Sequence, residues 1–372
     1  MTMAGSSERP PVLFVSYTGG AGGAGRLLLD QAAALEGPVA VACPEGQLAE
    51  RARRQGLLVL PLRERRIEAR RGTADRLAAP AHLAAQSREV RRAVTEHAPR
   101  CVVAWSMRAL LSTTAALTGR RGRPPLVFHH NDFLPSPAIG AAVRAAAARA
   151  DRVVAASRAI AADLAGGGRF AVDVILPGVD LQRFSPAPLP GGPPEALVLG
   201  AIVEWKHPEL ALEATALARR EVPGLRVCVA GAPIDRSGPQ LSARLAARAA
   251  APDLAGAVSL PGPVEDVPAA LAGATCLLHC AGREPFGMSL IEALASGRPV
   301  VAPRAGGPLE IVDGTCGRFY QPGDHAGAAA ALVDVVRRAG ELAGPARSRA
   351  ESLFDLESSR ARFREVIEEV CS

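Results

Sequence analysis

Short apolar runs alternate with amphipathic segments along almost the whole chain. The runs "PVLFVSY" (11–17), "PVAVAC" (38–43), "LLVLPL" (57–62), "CVVAW" (101–105), "PLVFHH" (125–130), "RVVAAS" (152–157) and "VDVILP" (172–177) have the length of strands. Between them lie helical segments such as "GRLLLDQAAALEG" and "AERARRQG". Such alternation predicts an α/β fold with a parallel, doubly wound sheet. The pattern breaks at the proline- and glycine-rich run "SPAPLPGGPPEA" (185–196), best read as an interdomain linker. It restarts with "ALVLGAIV" (196–203), "LRVCVAG" (225–231), "AVSL" (257–260), "TCLLHC" (275–280) and "PVVAP" (299–303), so a second doubly wound domain is predicted. The expected domains are 1–187 and 188–355. The amphipathic segment "SLFDLESSRARFREVIEEV" arrives after the second domain is complete, and residues 356–372 are expected to form a helix that crosses back to the first.

A length of 372 residues suits two domains of ordinary size, and 48% apolar with 22% charged residues reads as soluble and globular. The net charge of +6 is a mild bias that gives no call for nucleic acid. The basic segment "RERRIEARR" (63–71) lacks the Trp, Phe or Leu face of an interfacial helix, so a solvated face is expected there rather than peripheral membrane contact. Seven scattered cysteines, mostly in apolar runs, read as reduced core residues. Cys276, His279 and Cys280 fall in one predicted strand. Alternation turns His279 away from the side the two cysteines share, and no metal site is expected. The stretch "MTMAGSSERPP" has no apolar core and no apolar run reaches membrane-spanning length, so neither secretion nor a transmembrane helix is expected, and the location is read as cytoplasmic.

Candidate chemistry lies in two loops. In doubly wound sheets ligands sit at the carboxyl ends of strands, and two such domains facing each other make a cleft. After the first strand, "TGGAGGAGR" (18–26) leads into a helix whose free N–H groups suit an anion. A tight turn would look the same, and the spacing is not a clean dinucleotide fingerprint. The second stretch, "REPFGMSLIEALASGRPVVAPRAGG" (283–307), follows a strand and opens a helix near Gly287. The N–H groups of Gly287, Met288 and Ser289 suit a diphosphate. Glu284 before the helix and Glu292 in its second turn offer carboxylates to hydroxyl groups. One stretch therefore supplies both halves of a sugar-nucleotide site, although a capped surface helix with two solvated glutamates would share its spacing.

This stretch resembles the signature of the family-4 retaining glycosyltransferases, which have the GT-B fold: two Rossmann-like domains facing across a cleft. The resemblance extends over nearly the entire chain, through "GGAGR" (22–26), "LPGVDLQRFSP" (176–186), "GAIVEWKHPELALEA" (200–214), "VAGAP" (229–233), "LPGPVEDVPAALAGA" (260–274) and "GRFYQPGD" (317–324). It implies a nucleotide-diphosphate sugar donor, most commonly UDP-linked. Glu284 would bind donor sugar hydroxyls and Glu292 the ribose. Phe286, Gly287, Met288 and Ser289, with Gly22, Gly23 and Gly200, would line the donor. Lys206 would offset the charge growing on the leaving diphosphate. His130, with His129 second, would lie near the donor sugar and acceptor, and Asp132 would orient the ring or contact the acceptor. The family often has arginine after the glycine of the "GAIV" strand, where this chain has Ala201; Arg283 or Arg304 is expected to supply the missing charge, failing which activity is weaker or needs a partner. The resemblance implies front-face transfer with no protein nucleophile, no other cofactor and no obligatory metal. The acceptor, a cell-envelope glycan, lipid or secondary metabolite, stays open. So do a sugar-nucleotide epimerase and a non-catalytic nucleotide-binding partner subunit.

Overall fold

A computed structural model of the protein describes residues 9–20, 22–65, 73–166 and 170–372. The chain divides into two compact units, one made of residues up to Leu176 together with Glu357–Ser372, the other of Pro177–Leu356. The division falls ahead of the proline- and glycine-rich run. Part of the basic segment at 63–71 lies outside the described residues; of the rest, Arg65 pairs with Glu89 at 2.7 Å.

The first unit holds a seven-stranded sheet: β1 (Val12–Val15), β2 (Val39–Cys43), β3 (Leu58–Pro61), β4 (Cys101–Trp105), β5 (Leu126–His130), β6 (Arg152–Ala155) and β7 (Asp173–Val174), in the order β3-β2-β1-β4-β5-β6-β7. All pairings are parallel. Val12 and Phe14 of β1 join one core layer, Leu13 and Val15 the opposite one. This period of two, with helices covering both faces, is why the strands read as unbroken apolar runs. The helix Leu356–Cys371 belongs to this unit: Phe363, Val366 and Ile367 are buried in the layer around Phe14 and Trp105. Burying those three side chains stabilises the docking by roughly 1.5–3 kcal/mol each.

The second unit holds a six-stranded parallel sheet of β8 (Glu195–Leu199), β9 (Arg226–Ala230), β10 (Val258–Gly262), β11 (Cys276–Leu278), β12 (Val300–Pro303) and β13 (Gly317–Tyr320), in the order β10-β9-β8-β11-β12-β13. The expected strand at 275–280 is shorter, ending at Leu278, and β13 is an edge strand that the apolar pattern did not mark. A buried arginine ties the linker down. Arg298, with no exposed surface, donates to the carbonyls of Ala187, Pro188, Leu271 and Ala272. Its five donors thus meet four backbone acceptors, which makes it a structural clamp. Among the described residues no helix is long and apolar enough to cross a membrane.

In each sheet the strand order reverses beside the unit's first strand, between β1 and β4 and between β8 and β11. Each switch point opens a crevice at the carboxyl ends of its own sheet's strands, where ligands bind in such folds.

Candidate active site

In the second unit the switch point brings together residues far apart in sequence. Beyond β8 the chain passes Gly200 and Ala201 and forms a short 3-10 turn, Glu204–Lys206. His207, held in the left-handed region at φ +47°, then starts the helix Pro208–Ala218. This reversal turns Lys206 back over the end of the sheet, its ammonium 4.7 Å from the centre of the Trp205 ring. Beyond β11 come His279 and, after a short loop, Glu284. Lys206 Nζ donates to Glu284 Oε2 at 3.3 Å, and His279 Nε2 lies 3.3 Å from the same oxygen. The histidine nitrogen is in reach but out of line, so this second contact is close without being a formed hydrogen bond.

Glu284 is 9% exposed. Burial by itself raises the pKa of its carboxyl, but the Lys206 ammonium and the His279 ring outweigh that and hold it down at about 2. The site therefore contains a buried, ionised carboxylate with a cation on one side and an imidazole on the other. Its backbone is anchored as well. Gly307 N–H donates to the Glu284 carbonyl at 2.9 Å, and at Gly306, φ +62°, a Cβ would lie 2.4 Å from that carbonyl oxygen. A side chain at Gly306 is thus excluded by both strain and space.

Gly287, at φ +116°, is the N-cap of the helix Met288–Ala295 and, being a glycine, offers no side-chain cap to its first N–H groups. Phe286 is buried edge-on against Phe354 at 6.0 Å. Met288 and Ser289 are half-buried, and Glu292 is 2% exposed within the helix. Glu292 is therefore not one of the solvated glutamates that spacing alone allowed. Among the described residues lining the cleft beside Gly200, Ala201 and His279, Lys206 is the one Lys or Arg. Arg283 and Arg304, expected to replace a missing cation, are exposed and do not line this cleft; the Arg304 guanidinium sits 4.7 Å from the centre of the Phe319 ring.

The first unit carries the remaining sequence candidates. Gly22 is the exposed N-cap of the helix Gly23–Ala32, and Gly23 is half-buried. Trp105 Nε1 donates to the Ala24 carbonyl at 3.0 Å, bracing the first turn of this helix against the end of β4. His129 and His130 both have no exposed surface, and their ring nitrogens find no hydrogen-bond partner among the described residues. His129 stacks on Trp105 with ring centroids 3.9 Å apart, while His130 packs against Phe128 at 5.3 Å. Burial pushes their pKa values down to about 3 and about 4, so both are neutral at pH 7. The ring expected to lie near donor sugar and acceptor is thus buried, neutral and packed against Phe128. The acid that acts on His130 is Asp163; Asp132 is exposed and accepts from the Phe133 N–H at 2.8 Å.

His279 is the site residue that sequence reasoning left out. Its signal was present: alternation with Cys276 and Cys280, which lie in the core, turns its ring toward the cleft.

Comparison with known proteins agrees with this architecture. Residues 21–183 match the family model "Glycosyltransferase Family 4", and residues 182–349 match "Glycosyl transferases group 1". The D-inositol 3-phosphate glycosyltransferase of Nocardia farcinica is 34% identical over 216 residues, covering 52% of this chain and 48% of that protein. D-inositol 3-phosphate glycosyltransferase 2 of Catenulispora acidiphila is 35% identical over 216 residues, 51% of this chain and 49% of that one. The chain thus spans about half the length of the curated relatives it matches. Among solved structures, Anabaena HepE in complex with UDP-glucose superposes with a TM-score of 0.83 at 22% identity, over 97% of this chain and all of that one. The two family models meet at residues 182–183, just inside the second unit, and the chain belongs to the group 1, family-4 glycosyltransferases, with the GT-B fold.

Proposed function

We propose that this protein transfers a sugar from a nucleotide-diphosphate sugar, UDP-linked, to an acceptor hydroxyl with retention of anomeric configuration. The observation that carries this reading is the cluster of Lys206, His279 and Glu284 at the switch point of the second sheet. A carboxylate held ionised and buried is an acceptor for sugar hydroxyls. A lysine beside a glycine-bearing strand end is a counter-charge for a diphosphate, whose negative charge grows as the glycosidic bond breaks. The uncapped N–H groups after Gly287 add neutral donors, and Glu292 accepts from the ribose. No side chain serves as a nucleophile in this account: the leaving diphosphate helps take the acceptor's proton, while the protein orients, neutralises charge and excludes water. No metal is required, because Lys206 does what a metal does elsewhere.

The relatives named for inositol 3-phosphate support a phosphorylated cyclitol as the first acceptor to try, ahead of glycans, lipids and other secondary metabolites. The test is incubation with a panel of nucleotide sugars and such acceptors, with products read by mass spectrometry and the new anomeric centre by NMR, with and without chelator. The proposal expects an acceptor-dependent glycoside of retained configuration and turnover that survives chelation. Isomerised donor without transfer would point to an epimerase, and nucleotide binding with neither product to a non-catalytic subunit.

A further inference from the structure

One carboxylate oxygen has two suitors. Glu284 Oε2 is approached at 3.3 Å by Lys206 Nζ, which donates to it, and at 3.3 Å by His279 Nε2, which does not point at it. On the reading above, Lys206 must serve the diphosphate, and to do so it gives up part of its hold on Glu284. A carboxylate this deeply buried is costly to leave without a partner. Among the described residues His279 is the other side chain against that oxygen, and it is held there on three counts. Its N–H donates to the Val301 carbonyl at 2.8 Å, its carbonyl accepts from the Tyr320 hydroxyl at 2.8 Å, and Leu278 and Cys280 on either side are anchored in the core. With the backbone fixed, the ring is 5% exposed and its Nε2 is a buried atom that no described residue satisfies.

We propose that His279 is a positioning residue of the transfer reaction, taking over Glu284 Oε2 as Lys206 turns to the leaving diphosphate. The inference rests on the role given to Lys206 in the proposed function. A neutral imidazole with its proton on Nε2 suffices: it donates one hydrogen bond, and no proton changes owner. The misalignment in the free protein fits the role, because hydrogen bonds of a working site often tighten only when substrate arrives. With His279 removed, the Lys206–Glu284 pair loses its relief. Lysine stays on the carboxylate, or the carboxylate is stranded, and either raises the energy of the state in which the diphosphate is bound or leaving.

The test compares His279→Leu, which removes the donor, with His279→Gln, whose amide nitrogen reaches a similar position. Turnover and donor KM are measured alongside the affinities of UDP and uridine by calorimetry. For His279→Leu the expected result is a fall in kcat of about tenfold to a hundredfold, the worth of a hydrogen bond to a charged group, with a smaller rise in donor KM. UDP affinity falls with it, uridine affinity holds and so shows the site still folded, and His279→Gln recovers most of both losses. Wild-type kcat and UDP affinity in His279→Leu would overturn this proposal alone, as would a Gln variant as impaired as the Leu one. A wild type that binds neither UDP nor donor would overturn the proposed function and this inference together.

Discussion

The two sheets share a topology, and their switch points hold opposite kinds of side chain. In the second unit the end of β11 leads to a buried carboxylate with lysine and histidine against it, a site of paired opposite charges. In the first unit the end of β5, close to the switch point, carries two neutral histidines sealed among aromatic rings, His129 face to face with Trp105 and near Phe363 of the last helix. The backbone presents similar strand ends in both units; what differs is whether the side chains there are charged and paired or neutral and stacked. Function lives in the side chains grafted on the fold. On the function proposed above, the charged crevice handles the diphosphate sugar, whereas His129 and His130 pack among the aromatic rings of the first unit.

Glu284→Gln keeps the shape and removes the charge at the centre of the second site. Its kcat is expected to fall by roughly 10²–10³, the range for losing a preorganised charged partner of the transition state. Steady-state kinetics on the preferred donor checks this, and an unchanged kcat would erase the difference between the two crevices. Lys206→Ala is expected to lower kcat by roughly 10² and to raise donor KM less, since its charge matters most as the diphosphate leaves. Here the informative quantity is the ratio of the two changes. A rise in KM alone would recast Lys206 as a binding residue. Glu292→Ala is expected to weaken nucleotide binding by about 1.5–3 kcal/mol, with calorimetry as the check; equal affinity would confine Glu292 to packing.

Much of the fold was legible in the sequence because parallel strands covered on both faces are apolar at every position. "PVLFVSY" and "PVAVAC" could hardly be anything else. β13 escaped because "GRFY" at the sheet's edge has no apolar run to show. The site was legible in part. Glu284 and Lys206 were named from motifs, yet that one pairs with the other across 78 positions is a property of strand order, which no local pattern carries. The burial of His130 was hidden for a related reason: a strand-end histidine reads the same whether its ring meets solvent or the packed layer around Phe128. Only the third dimension separates those cases.

Acid should separate the two units with a smaller effect. His129 and His130 have folded pKa values of about 3 and about 4, below the ordinary 6.5. The unfolded chain therefore binds more protons than the folded one over that interval, and the first unit loses stability as pH falls below about 6.5. Glu284, held at about 2 against an ordinary 4.5, contributes stability that is complete above 4.5 and lost only as pH falls toward 2. Hydrogen exchange at stepped pH is expected to show β5 losing protection at a higher pH than β11. Replacing His129 by Phe should narrow that gap. Simultaneous loss in both sheets would contradict the electrostatic contrast drawn here.

The most direct test of the charged crevice as a diphosphate site is calorimetric titration of UDP and uridine into the wild type and Lys206→Ala. If the account holds, the wild type binds UDP at least about tenfold more tightly than uridine, the step equivalent to about 1.4 kcal/mol. Lys206→Ala then loses most of that advantage while its uridine affinity stays put. A wild type indifferent to the phosphates, or a lysine variant with the full UDP preference intact, would contradict it.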